Sequence, residues 1–198
     1  LWETALILRR LPALVLFSLA TFATVHGQPP SPEKQAELLL NSAQKAFNEG
    51  NPRAAFDQFT DFLKKYNGQK GTNAARLGLG LAILDLPERD YTKAIEILTP
   101  AAGEGNFSDQ ALAIYYLGTS HRGLGLKELE AGAKNPAEAD RRRDAALPKL
   151  TEAARLFGRA VEEFGKRKAD GDADWVERSR CDKAEMELRL GKPKDARA

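Results

Sequence analysis

The sequence predicts an all-α protein whose helices come in consecutive pairs, and three observations carry that reading. From Glu33 onward no segment alternates apolar and polar residues, whereas apolar residues recur at three- and four-residue spacings. Helix-start signals, a capping side chain followed by proline, stand at Ser31-Pro32, Asn51-Pro52 and Asn135-Pro136. A turn of pattern G-x-P-x-x-A occurs at Gly50 to Ala55 and again at Gly191 to Ala196, and Asp90-Tyr91-Thr92-Lys93-Ala94 is a third version of it.

The first 27 residues read as an address. Arg9 and Arg10 precede an uncharged stretch from Leu11 to Val25, shorter than the ~20 residues a bilayer-crossing helix needs. Val25-His26-Gly27 places small residues where a signal peptide is cut, and the composition then changes at Gln28-Pro29-Pro30. Cleavage is placed after Gly27. Thr21-Phe22-Ala23 offers a second cut, and an uncleaved anchor, the one route to membrane contact, is the alternative. No cysteine follows to carry a lipid, and Leu8 and Leu11-Pro12 do not extend the arginine pair into a twin-arginine signal. The mature chain is expected outside the cytoplasm, with residues 28–35 as a linker. Because the sequence opens on Leu1 rather than Met, part of the charged leader is expected to be missing.

The helices follow in order. Leu39, Ala43, Ala46 and Phe47 form one apolar stripe and Ala55, Phe56, Phe59, Phe62 and Leu63 the next, with Gly50-Asn51-Pro52 as the turn between them. Leu81 and Ala82 mark a third helix, and Ala94 and Leu98 a fourth. The third pair is expected to be long. Its first helix runs from Asp109 to about Ala133, and its second, opened by an Asn135/Glu138 capping box, runs from Pro136 to about Lys166 with a bend at Pro148. A last helix is expected to start at Asp174, with Glu177 completing its cap. The chain stops at Ala198, where a partner helix should begin, and is expected to be truncated there.

These residues resemble the tetratricopeptide repeat, a helix-turn-helix unit of about 34 residues. Ile114, Leu117 and Gly118 match its first-helix positions, as do Leu81 and Ala82, while Ala43 and Ala184 fall on the same small position. Ala55 with Phe59, Ala94 with Leu98, and Ala153 with Phe157 and Ala160 match its second helix. The spacing between small positions exceeds the family's period, most of all between Gly118 and Ala184. The resemblance implies a right-handed α-solenoid of units at about 36–70, 72–105, 108–168 and 174–198, with one elongated hairpin and the last unit incomplete. Elongated pairs of this kind are similar to those of bacterial envelope proteins of the outer-membrane-assembly and cell-division-coordinator type, which implies a periplasmic or cell-envelope setting.

Composition narrows the chemistry. The 198 residues carry 30 Lys+Arg against 28 Asp+Glu, a net charge of +2, so no uniform basic field is present to hold a nucleic-acid backbone. One cysteine and two histidines supply neither a disulfide nor a Cys/His metal cage. Asp170-Gly171-Asp172-Ala173-Asp174 opens like a calcium loop, but Trp175 and Cys181 stand where such a loop needs its glycine and its bidentate glutamate. No catalytic signature surrounds His121, Ser108, Ser120, Ser179 or Cys181; His121 reads as a partly exposed histidine and Cys181 as a packing or partly buried thiol. Gly78-Leu79-Gly80 and Gly123-Leu124-Gly125 lack the preceding strand of a dinucleotide site and read as packing or terminating glycines. Arg141-Arg142-Arg143 and Lys166-Arg167-Lys168 are flanked by acids and read as solvated helix faces.

The expected function is therefore binding, with no catalytic, metal or cofactor site. In the family, the first helices of successive units line a concave face. By repeat position the resemblance places there Gln44, Phe47 and Asn48, then Arg76 and Ile83, then Tyr115, Thr119 and Arg122, then Arg178 and Glu185. That face would take a protein or peptide partner of some acidic character through Arg hydrogen bonds and an aromatic anchor. Leu40 and Gln44 replace the Lys and Asn of the chaperone-tail clamp, so that partner class is not implied. The alternative is an accessory helical region of a larger envelope enzyme whose catalytic domain lies beyond residue 198, or an architectural spacer.

Overall fold

The computed structural model describes residues 30–167 and 169–192; the expected signal segment and residues 193–198 lie outside them. Among the described residues there are seven α-helices and no strand: α1 Pro32–Asn48, α2 Pro52–Tyr66, α3 Thr72–Asp85, α4 Tyr91–Gly103, α5 Gln110–Lys134, α6 Ala139–Arg167 and α7 Asp172–Arg189, with a 3-10 turn at Pro136–Glu138 before α6. The helices pack in sequence order, each on the one before and the one after; α1 also touches α3, and α3 touches α5.

Local chemistry sets the ends of these helices. Ser31 accepts from the Lys34 N–H at 3.3 Å, Asn51 from Ala54 at 3.1 Å and Asp90 from Lys93 at 3.0 Å, each satisfying a donor that the first turn leaves free. The turn shared in sequence is also shared bond for bond. After α1, Gly50 (φ +75°) donates to Phe47 O and Asn51 N–H donates to Ala46 O; after α7, Gly191 (φ +73°) donates to Leu188 O and Lys192 N–H donates to Glu187 O. This is the paired closure that glycine's freedom at positive φ allows. Before α4 the equivalent place is held by Arg89, at φ +39°.

A second recurrence was not legible in the residues. The loops entering α3, α5 and α7 share one hydrogen-bond register, with Thr72, Gln110 and Asp172 donating to Gln69, Phe107 and Ala169, and with Ala75, Ala113 and Trp175 donating to Gly71, Asp109 and Gly171. The Thr72 hydroxyl accepts from Gly68 N–H at 3.0 Å and the Asp172 carboxylate from Ala169 N–H at 2.8 Å, so each side chain closes its own loop.

Three boundaries differ from expectation. α1 begins at Pro32, so the linker ends at Ser31. α7 begins at Asp172 rather than Asp174, because Asp172 ties back to Ala169, and Glu177 pairs with Arg180 at 2.7 Å instead of capping. Asn135 caps nothing, since a 3-10 turn intervenes and Glu138 is drawn to Arg141 and Arg142. As expected, Pro148 lies within a single long helix, α6.

The core is sealed where glycine or alanine on one helix meets a large side chain on the next. A Cβ at Gly78 would lie 2.2 Å from the Phe59 ring, one at Gly80 2.5 Å from Leu98, one at Gly123 2.3 Å from Tyr91 and one at Gly125 2.7 Å from Leu150. These glycines are packing positions. Phe59, Phe62, Phe157 and Phe164 are fully buried, and Phe47 and Phe56 half-buried against the same core. Each fully buried ring stabilises by about 1.5–3 kcal/mol relative to exposure.

Candidate docking face

α5 presents Tyr115, Thr119 and Arg122 along one side, at the three- and four-residue steps that align side chains on a helix. α7 lies over that side. The Tyr115 hydroxyl donates to Asp182 Oδ2 at 2.6 Å, and Arg122 Nη1 lies 2.6 Å from Asp182 Oδ1 and 3.6 Å from Glu185 Oε2. Tyr115 is only 6% exposed, and Thr119 turns its hydroxyl back to Tyr115 O at 3.2 Å. Burial first, then the hydrogen bond and charge of Asp182, push the Tyr115 phenol well above the ordinary tyrosine range, so it stays a donor. This cluster is a clamp between helices: its cation is already neutralised and its phenol holds its proton.

Trp175 of α7 organises the aromatic half. It stacks on Phe164 at 5.6 Å and meets Tyr115 and Tyr116 edge-on at 5.1 and 6.1 Å. Arg178, exposed, lies over its ring at 5.2 Å and makes no ion pair among the described residues. Burial raises the Tyr116 pKa as well, with Asp85 adding to the shift and Arg178 opposing it.

The other expected residues stand apart. Gln44 and Asn48 are exposed on α1. Arg76, half-buried on α3, donates to Asn73 Oδ1 at 2.9 Å and to Asn67 Oδ1 at 3.3 Å and makes no ion pair among the described residues. Ile83 is 2% exposed and belongs to the core rather than to a docking face. Cys181 is exposed, not a packing thiol, because α7 turns that side away from α6. Of the proposed face, then, Tyr115 and Arg122 come together as internal contacts of the α5–α7 junction, while Gln44, Asn48, Arg76 and Arg178 remain open to a partner.

A trough also runs along the edge carrying the loops between pairs. Three adjoining hollows of ≈ 800, ≈ 570 and ≈ 280 Å³ share Gln69, Lys70 and Gly71 at one junction and Asn106, Phe107 and Ser108 at the next. Its walls are rich in side-chain amides, with Arg76 beside the middle hollow. These loop residues carry no periodic apolar signal. Only the recurring loop register would have singled them out.

The remaining candidates have local partners. Asp172 is occupied by Ala169 N–H and lies 3.6 Å from Arg167, which also donates to Ser108 O at 2.9 Å. Arg142 is held by Glu128 at 2.9 Å and Glu138 at 3.1 Å, while Arg141 and Arg143 pair with Glu138 and Asp140 on the solvated side. His121 is half-buried on α5; burial holds its pKa below the usual 6.5, against an opposing pull from Glu152. No described helix is long and apolar enough to cross a membrane.

Compared with family models, curated proteins and solved structures, the chain has no match.

Proposed function

We propose that the chain is an exported scaffold of tetratricopeptide type, a right-handed solenoid that holds protein or peptide partners in the bacterial periplasm or cell envelope and catalyses no reaction. The observation that carries the reading is the double recurrence of turns. Closure after α1 and after α7 uses the same glycine-centred bonds, and entry into α3, α5 and α7 uses the same loop register, which supports reading the helix pairs as repeated units. Units that stack in sequence order bury their apolar stripes on one another and leave an extended surface for docking. The trough and the open side chains Arg76 and Arg178 are where a partner of acidic character would bind.

The test is affinity capture from a bacterial envelope extract with residues 28–198, with Arg76→Ala/Arg178→Ala as comparison. Partners retained by the parent chain should be depleted at least severalfold by the variant. An identical set on both, and on an unrelated helical protein of similar charge, would contradict the proposal.

A further inference from the structure

At the opposite ends of α2 and α3 from the trough, the turn between α1 and α2 meets the turn between α3 and α4 around a hollow of ≈ 280 Å³. Half-buried Phe56 and the nearly buried Ile83 and Leu86 form its apolar lining. The rim carries three cations, Arg53, Arg89 and Lys93, against two acids, Glu88 and Asp90. Both acids are engaged. Glu88 pairs with Arg53 at 3.2 Å, and Asp90 accepts from the Lys93 N–H at 3.0 Å as the cap of α4. Neither the Arg89 guanidinium nor the Lys93 ammonium makes an ion pair among the described residues, and that ammonium lies over the Phe56 ring, 4.8 Å from its centre. Apolar surface and spare positive charge thus stand side by side.

The backbone supplies an independent observation. Arg89 is the one non-glycine residue at positive φ among the described residues, at +39°, where the sister turns place Gly50 and Gly191. Left-handed backbone disfavours a side chain that glycine does not have. The arginine therefore strains the turn, and no ion pair of its own offsets that strain. A strained residue whose side chain does nothing for the fold points to a role outside it. We propose that this hollow is a docking site for a peptide segment in which a large apolar residue is followed by acidic ones. The apolar side chain enters against Phe56, and the carboxylates pair with Arg89 and Lys93. A space of ≈ 280 Å³ suits one such side chain and not a whole helix. The hollow lies about 20 Å from the trough, the length of α3, and the proposal shares with the scaffold reading only the peptide nature of the partner.

The test is a titration of the isotope-labelled full chain, followed through its amide chemical shifts. Four probes are used: acetyl-Gly-Leu-Glu-Glu-Gly-amide, the same peptide with serine for leucine, the same with glutamine for both glutamates, and inorganic phosphate. The first peptide should shift the amides of Phe56 and of residues 86–93, and should bind about threefold or more tighter than each of the other three, the scale of one solvent-exposed ion pair. Arg89→Gly should weaken its binding about threefold while the denaturation midpoint stays at or above the parent's, which separates lost recognition from lost folding. Arg89→Lys, which keeps the charge, should retain most of the affinity. Binding indifferent to the leucine, to the glutamates or to Arg89 overturns the proposal. So do phosphate binding as tight as the peptide's, shifts confined to another face, and the absence of any shift at millimolar peptide. The capture experiment turns on Arg76 and Arg178, which this hollow does not contain, so either reading can fail while the other stands.

Discussion

The α2–α3–α4 region and α7 are each stacked on a neighbouring helix, yet they are sealed by different means. Around α3 the seal is dry and close. Eight residues of this helix are buried, seven of them apolar or glycine, and Gly78 and Gly80 let Phe59 and Leu98 press against its backbone. Around α7 the seal mixes apolar and polar contacts: Met186 is fully buried and a tryptophan lies on an aromatic wall, while an aspartate is shared by a phenol and a guanidinium. Close packing opposes any displacement, because interiors are near crystal density and a small shift forfeits many contacts. A polar clamp sets orientation through a few directional bonds. The two regions thus differ in how they are held, one by close apolar packing and the other with a larger share of polar contacts.

The sharpest way to break this contrast is to open the dry seal. Phe59→Ala should cost about 3–5 kcal/mol, read as a drop in the denaturation midpoint, since it leaves a cavity beside Gly78. Adding one methyl group at the same contact, Gly78→Ala, should cost about 1–3 kcal/mol, because the Phe59 ring must move. At the polar seal, Asp182→Ala should cost about 1–3 kcal/mol by leaving Arg122 and the Tyr115 hydroxyl without their partner, and hydrogen exchange should place that loss in α7 with α1 to α4 unaffected. A uniform loss across all helices would mean that the two seals are one cooperative unit.

Smaller effects sharpen the picture. Arg89 takes the left-handed place that glycine fills in the sister turns, so Arg89→Gly should raise stability by about 0.5 kcal/mol, strain relief outweighing the added entropy of the unfolded chain. The smallest effect expected is with pH. Burial depresses the folded pKa of His121 below 6.5, so the unfolded state binds the proton more readily between that folded value and 6.5. Stability should therefore fall as pH drops through that window and stay flat above it. His121→Gln should remove this dependence in a series of thermal melts.

Much of the architecture was legible because helical stripes and glycine turns are local signals. Ser31 and Asn51 declared their caps, and Gly78, Gly80 and Gly118 marked where neighbours come close. The surroundings of the side chains proposed for docking were read less well. Tyr115 and Arg122 look like exposed recognition residues along α5, and only the placement of α7 shows that Asp182, 60 or more positions away, already occupies them. Ile83 misled for the same reason, since repeat position alone does not say how deep a neighbour presses. The trough escaped notice because its residues lie in loops, whose backbone register is invisible in the side-chain pattern.

The most direct measurement of the central contrast is native-state hydrogen exchange on the parent chain, resolved by helix. The amides of α7 should exchange at a lower opening free energy than those of α3 and α6, and substituting Asp182 should accelerate α7 alone. Exchange of α7 in step with α3, or slower, would contradict the account: the polar seal would then be as tight as the dry one.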